Sequence, residues 1–439
     1  MAPTRHDERS GCPAGSGRHE ELPTLPVDEA SDLDHIFDRS LPAFGGAHLR
    51  KVWQLLDEAI GRGVPMTISI AGPVTLSGQV YTWLNPLLDT GWFMLVSTTD
   101  AVCYHDGHRA LDGASKNPIY HVGLDVDDGA LRDERTVRVT DLGFNEELLL
   151  EQDRFLRAIL RQPEFQRRMS GTELRFQLGH RYAAQERKND VREGLMALCW
   201  RKAIPVFVGA PGDGSVFLNS LDLWCLREAF GDEYCFDLDV HLEVYESCAY
   251  HRWGTKETEA GAIGTLILGG GVPKNFNLQP EPTLGQILGF ENVPGFLYDI
   301  QITTAPVSDG SLSSCPPSEA VTWGKVDKEA YRSTCVSLLA DYSTVMPFLV
   351  RALLAKRARF ARLAEKLGPQ KIDELYRRHP EARGYLRPTE GYRLMERREE
   401  LMGKLLDEIR GRETVMRTGL TYDLAPLEIL EQPTPTTTR

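Results

Sequence analysis

The sequence predicts an α/β protein: an open, mostly parallel sheet with helices on both faces, followed by a charged helical C-terminal extension. Three observations carry this expectation. Short apolar runs closed by Gly or Thr recur along the chain, such as "PMTISIAG", "WFMLVSTT" and "GTLILGGG". Segments with helical apolar spacing separate them, and uninterrupted apolar strands alternating with helices indicate a parallel sheet buried on both sides. Beyond about residue 350 the character changes to densely charged helix.

Taken in order, residues 1–30 are rich in Pro, Gly, Ser and charge, and read as a disordered tail. "HLRKVWQLLDEAIGRG" is a helix ending in Gly, "PMTISIAG" a strand, "SGQVYTWLNPLLDTG" a helix and "WFMLVSTT" a second strand. Later strands are "IPVFVGA", "GTLILGGG", "LYDIQITTA" and "CVSLLAD", with helical segments between them. A catalytic domain over 31–365, a charged extension over 366–412 and a tail over 413–439 complete the division. Regular charge spacing in "RALLAKRARFARLAEKLG" and "YRLMERREELMGKLLDEIR" reads first as a solvated face, with a partner-binding or oligomer helix as the alternative.

At 439 residues the chain exceeds ordinary single-domain size. A formal net charge of -13 argues against general nucleic-acid binding, because phosphate contacts need clustered basic surface. The eight cysteines include no C-x-x-C pair, as expected of buried free thiols in a reducing compartment. With no apolar run near ~18 residues and no signal-like start, a cytoplasmic protein without membrane segments is expected.

Three strand ends are suited to a ligand. In open α/β sheets ligands bind beyond the carboxyl ends of strands, where glycines expose backbone N–H groups. "PVFVGAPGDGS" places Asp213 and Ser215 there, "TLILGGGVPKN" places Gly269 and Gly270, and "QITTAPVSDGS" places Thr304, Ala305 and Asp309. Together they point to a nucleotide site, although no G-x-G-x-x-G opens the first strand-helix unit. "CYHDGH" holds Cys103, His105, Asp106 and His108 in what reads as a loop. No second cluster accompanies it, so no metal site is assigned. A Ser-His-Asp centre lacks its G-x-S-x-G elbow.

Lys325, in "PSEAVTWGKVD", stands apart. Trp323 offers an aromatic face and Glu319 a carboxylate close in sequence. A lysine that attacks carbon must be neutral, and at a reference pKa of about 10.4 only roughly one in 2,500 is neutral at pH 7. A desolvated aromatic pocket would lower that pKa and favour an imine-forming lysine.

These residues resemble a known family. "GTLILGGGVPKNFNLQ", "QITTAPVSDGSLSSCPPSEAVTWGKVD" and "LLADYSTVMPFLV" follow in the order and near the spacing found in deoxyhypusine synthases and their bacterial deoxyhypusine synthase-like relatives, and the likeness runs from about 35 to 365. The resemblance implies a Rossmann-like fold, NAD as cofactor and a homotetramer with NAD sites at a dimer interface. It also implies transfer of the aminobutyl group of spermidine through a lysine imine, with Lys325 as that lysine. Glu319 and Trp323 match the family's amine-binding carboxylate and aromatic platform. Asp213, Ser215, Gly269, Gly270, Thr304, Ala305, Asp309, Asp341 and Thr98 match its cofactor contacts.

The departures bear on substrate. Leu218 and Leu312 stand where the family has carboxylates for the donor's ammonium groups, and Asn275 replaces a histidine at a substrate-binding position. "ISIAGPVTLSGQ" matches poorly and yields no cofactor contact. The expected reaction is NAD-dependent alkylamine transfer to a small acceptor such as putrescine, giving homospermidine. The alternatives are deoxyhypusine synthesis on a protein lysine, a different donor such as agmatine, and a non-catalytic NAD-binding scaffold.

Overall fold

The computed structural model describes residues 22–111, 118–387 and 392–418. The tails expected at 1–30 and 413–439 therefore lie mostly outside the described residues. The described end of the first, residues 22–30, includes a helical turn at Val27–Glu29, and Leu25 N donates to Arg39 O at 2.8 Å.

Six strands form one sheet: β1 (Met66–Ile70), β2 (Phe93–Thr98), β3 (Val206–Val208), β4 (Gly264–Leu268), β5 (Tyr298–Thr303) and β6 (Cys335–Leu339). Every neighbouring pair is parallel, in the order β6-β5-β4-β1-β2-β3. This is the expected sheet. The chain winds outward one way through β1 to β3 and the other way through β4 to β6. The reversal leaves a crevice at the carboxyl ends of β1 and β4, where doubly wound sheets take their ligands.

The two sheet faces differ in chemistry. Ile68, Ile70, Val96, Leu266, Leu268, Ile300 and Ile302 join the main core with Phe37 of helix α1 (Leu33–Arg39) and with helix α2 (Phe44–Gly61), whose Val52, Leu55, Leu56, Ala59 and Ile60 recur at helical spacing. On the alternate positions the strands carry Thr67, Ser69, Ser97, Thr265, Asp299 and Gln301, all buried. Burying hydroxyls and amides is costly unless they are bonded. A short helix, Gly271–Leu278, supplies partners: Ser97 Oγ donates to Pro273 O at 2.8 Å, Asn277 Nδ2 to Thr265 Oγ1 at 2.9 Å, and Lys274 Nζ to Gln301 Oε1 at 2.6 Å.

Two expectations are corrected. "CYHDGH" is not a loop: it lies within helix α3 (Asp100–Leu111), with Cys103, Asp106 and His108 buried. Asp106 accepts from Leu195 N at 3.0 Å and Met196 N at 2.8 Å, capping the helix α4 (Leu195–Lys202). Burial pushes His105 down to about 4 and His108 to about 3, so both rings are neutral. Among the described residues no group of three or more His, Cys, Asp and Glu is placed to hold a metal. Likewise the C-terminal extension is not simply solvated. Leu394–Arg410 buries Leu394, Leu401 and Leu405 against Val240–Lys256 in a second core. Most charges of this helix stay on the outer face, but the inner stripe docks and takes Arg398 with it.

Cys103, Cys199 and Cys248 are buried, whereas Cys225 and Cys235 are exposed. Among the described residues no helix is long and apolar enough to cross a membrane.

Candidate active site

The crevice is lined by backbone that only glycine fits. Gly269 and Gly270, just after β4, have φ of +65° and +73°. A Cβ on Gly270 would lie 2.3 Å from Ala71 Cβ, whereas one on Gly269 would meet nothing within 4 Å. The chain thus closes tightly beneath the turn and leaves its upper side open for close approach of a ligand. After β3, a Cβ on Gly214 would lie 2.0 Å from Asp100 Cβ. Asp100 Oδ2 accepts from Val216 N at 2.7 Å, tying down the start of helix α5 (Ser215–Phe230), and burial raises its carboxyl to about 6.

The other predicted cofactor residues also lie at carboxyl ends. Thr304, Ala305 and Asp309 follow β5, and Asp309 Oδ1 accepts from Ser311 N at 2.7 Å. Bonds from Ser314 and Ser311 keep that carboxyl below its ordinary range. Asp341 follows β6 and caps the long helix Tyr342–Leu367 by accepting from Ser343 N at 2.8 Å. Thr98 is buried, and its hydroxyl donates to Ile70 O at 2.8 Å rather than into the crevice. Asp213 and Ser215 follow β3 and Asp341 follows β6, at the two sheet edges, but both segments lean inward: Gly214 packs on Asp100 after β2, and Tyr342 Oη donates to Ala71 O after β1 at 2.8 Å.

The lysine site is built separately, over the β4–β5–β6 half. Helix Pro317–Val321 carries Glu319 and ends in a turn through Trp323 and Gly324, whose φ is +79°. The chain then turns extended: Lys325 N donates to Ala320 O at 3.1 Å, and Phe296 N to Lys325 O at 2.9 Å. A cavity of about 390 Å³ opens here. Its walls include Lys274, Asn275, Leu312, Glu319, Trp323 and Lys325. Its volume falls within the range that small-molecule ligands occupy.

Within it, Lys325 Nζ donates to Asn275 Oδ1 at 3.4 Å and lies 5.9 Å from the centre of the Trp323 ring. Burial lowers the lysine's basicity below its ordinary value. The Lys274 charge adds to that fall, while Cys315 and Glu281 oppose it. Lys274 is itself fully buried, is anchored to Cys315 O at 2.5 Å, and is also lowered by burial. Behind it Asp299, with neither carboxylate oxygen hydrogen-bonded, is pushed up to about 7 by burial.

Lys325, Glu319, Trp323 and Asn275, predicted from sequence, share this cavity. Leu312 lines it too, but Leu218 does not, standing half exposed on α5. Lys274 and Glu281 were not singled out. Lys274 carried a signal, since it precedes Asn275 directly after the glycine turn. Glu281 carried none, because folding alone brings it to Lys325.

The open glycine cradle with flanking carboxylates fits a dinucleotide: backbone N–H groups suit its phosphates, and Asp213, Asp309 and Asp341 are acceptors suited to ribose hydroxyls.

Comparison with known proteins shows the family of the chain. The family model "DS: Deoxyhypusine synthase" matches residues 36–353. A "Deoxyhypusine synthase-like protein" from Thermosynechococcus vestitus is 34% identical over 327 residues, covering 74% of this chain and 79% of that protein. One of the same name from a Cyanothece species is 34% identical over 369 residues, covering 82% and 86%. An archaeal relative from Methanosarcina mazei, named "Probable deoxyhypusine synthase 2", is 25% identical over 361 residues, covering 81% and 97%. With its doubly wound sheet, its half-buried lysine beside a tryptophan and a match over most of its length, this chain belongs to the deoxyhypusine synthase family.

Proposed function

We propose that the protein is an NAD-dependent alkylamine transferase that moves the 4-aminobutyl group of spermidine, through an imine on Lys325, to a small amine such as putrescine. The observation that carries this reading is the setting of Lys325: a lysine of depressed basicity, walled by Trp323 and Leu312, with a carboxylate at Glu319. Such a lysine is a nucleophile toward an imine carbon.

The chemistry supplied by bound NAD is removal of a hydride from the carbon beside the donor's secondary amine, and its return once the acceptor is attached. Gly269, Gly270, Thr304, Ala305, Asp309, Asp213, Ser215 and Asp341 would hold it. The family resemblance supports a homotetramer with the cofactor site shared by two copies of the chain. Glu319 would pair with a donor ammonium, and Trp323 would cover the alkyl chain. Lys325 adds to the donor's imine carbon, 1,3-diaminopropane departs, and the acceptor amine then displaces the lysine. Leu312 favours a small acceptor and a less demanding donor contact. Deoxyhypusine synthesis on a protein lysine is the second reading, favoured by the family itself. A scaffold without catalysis does not explain a half-buried lysine of lowered basicity.

The test is incubation with NAD and spermidine, with and without putrescine, followed by borohydride reduction and mass analysis. An aminobutyl adduct on Lys325, with homospermidine only when putrescine is present, is expected. Lys325→Arg should abolish both and retain NAD binding. Transfer surviving in that variant would sink the mechanism.

A further inference from the structure

Imine exchange at a lysine moves protons as well as carbon, and Asn275, the hydrogen-bond partner of Lys325 at 3.4 Å, is an amide that cannot carry one. Glu281, in the single turn Pro280–Pro282, comes from another part of the chain to lie against Gly324, the residue before Lys325. The backbone just before Lys325 lies directly on its carboxylate: a Cβ on Gly324 would be 2.6 Å from Glu281 Oε2 and 2.7 Å from Oε1. That Oε2 is buried and has no hydrogen-bond partner. Burial raises the carboxyl to about 7, against the opposing pull of Lys325. At neutral pH it is therefore populated both with and without its proton, as a group that exchanges protons during turnover should be.

The other titratable groups around Lys325 are less suited. Lys274 has only donors and is anchored to Gln301 and Cys315 O. Burial pushes the Cys315 thiol up, so it is protonated at neutral pH. Asp299 lies behind Lys274, buried in β5. Glu319 lines the cavity itself, where a donor ammonium would meet it.

We propose that Glu281 is the proton acceptor and donor for the Lys325 amine during imine exchange. This rests on the assignment of Lys325 as the imine-forming residue. The Glu281 carboxylate takes a proton from the Lys325 ammonium, and the neutral amine adds to the carbon of the donor's protonated imine. A C–N bond forms, leaving a carbon that bears two nitrogens, with the positive charge on the lysine nitrogen. Glu281 moves a proton from that nitrogen to the departing one. The C–N bond to the departing amine then breaks, and Lys325 is left as a protonated imine beside a neutral amine, so charge and atoms balance.

Two measurements on full-length wild type and Glu281→Gln test this. The first needs no donor: methylation of Lys325 by formaldehyde and cyanoborohydride at several pH values, followed by peptide mass analysis. Removing the carboxylate leaves the Lys325 ammonium less stabilised, so labelling at pH 7 should rise at least threefold. The second is amine transfer against pH, where the variant should fall roughly 100-fold, lose the acid limb near pH 7, and recover in part with added formate. NAD affinity should be unchanged. A faster-labelled but slower-turning lysine is not expected from structural damage. Glu281→Gln retaining the wild-type rate and acid limb, or leaving Lys325 labelling unchanged, overturns the assignment. A wild type that is labelled but transfers no amine overturns the function itself, which is a different result.

Discussion

Arg398 Nε donates to Glu246 Oε2 at 2.9 Å in the closed contact between the C-terminal extension and the domain. Glu246 has no exposed surface, and it also accepts from Ser170, Thr172 and Tyr250. Removing one partner of such a pair leaves a buried charge uncompensated, at about 3–5 kcal/mol. Arg398→Ala should therefore lower stability by about that amount, and expose the Leu394–Arg410 helix to proteolysis before the rest of the fold. Denaturant unfolding with limited proteolysis measures both.

Gly270→Ala tests the crevice. The substitution must occupy φ +73° with its Cβ 2.3 Å from Ala71 Cβ, so the turn has to move. Strain of this kind costs about 1–3 kcal/mol. NAD binding by calorimetry should weaken at least tenfold, whereas Gly403→Ala, in ordinary helical backbone where a Cβ would meet nothing within 4 Å, should leave it unchanged.

Stability should fall with rising pH through Glu186. Burial, and then the nearby Asp106, push its carboxyl up to about 8 from an ordinary 4.5. Between those values the folded chain holds more protons than the unfolded one, so its contribution is complete in acid and is lost as pH rises. Glu186→Gln keeps an oxygen to accept from Gly194 N, a bond of 2.9 Å in the native chain. Its melting temperature should exceed wild type at pH 8 by roughly 2–4 °C and lose that advantage near pH 5. Asp106, raised from 3.8 to about 6, leaves a residual slope of the same sign between those values.

Leu312→Asp should return a carboxylate to the cavity wall. A charge-assisted bond to an ammonium contributes about 1.5–3 kcal/mol when dry, and Leu312 is 38% exposed, so the lower end applies. Steady-state kinetics should show the KM for spermidine falling roughly tenfold. An unchanged KM would mean that the donor does not reach this wall.

The six strands were legible because each is a short, nearly uninterrupted apolar run set between segments of helical spacing. The strand-end glycines were legible for the same reason. What sequence could not reach was proximity between distant segments. Glu281 meets Gly324 only because the fold lays the helical run that follows Gly271–Leu278 against the turn before Lys325. Arg398 looked like one more surface charge until the helix carrying it docked. "CYHDGH" looked like a loop because its polar residues hide a helical cap: Asp106 reaches the start of a helix distant in sequence, an interaction that no local pattern announces.

The helix Tyr342–Leu367 spans about 39 Å at 1.5 Å per residue. One end, at Asp341, stands at the crevice. Along its length Lys356 binds Asp57 at 2.7 Å and Arg359 binds Asp32 at 2.8 Å, while Tyr385 bonds that same Asp57 at 2.5 Å. Segments near both ends of the chain thus grip one strut whose tip is capped by the Asp341 carboxylate. A chain trimmed at either end would loosen that strut as a lever loosens when its bearing is removed, and the effect would be felt far from the cut, at Asp341.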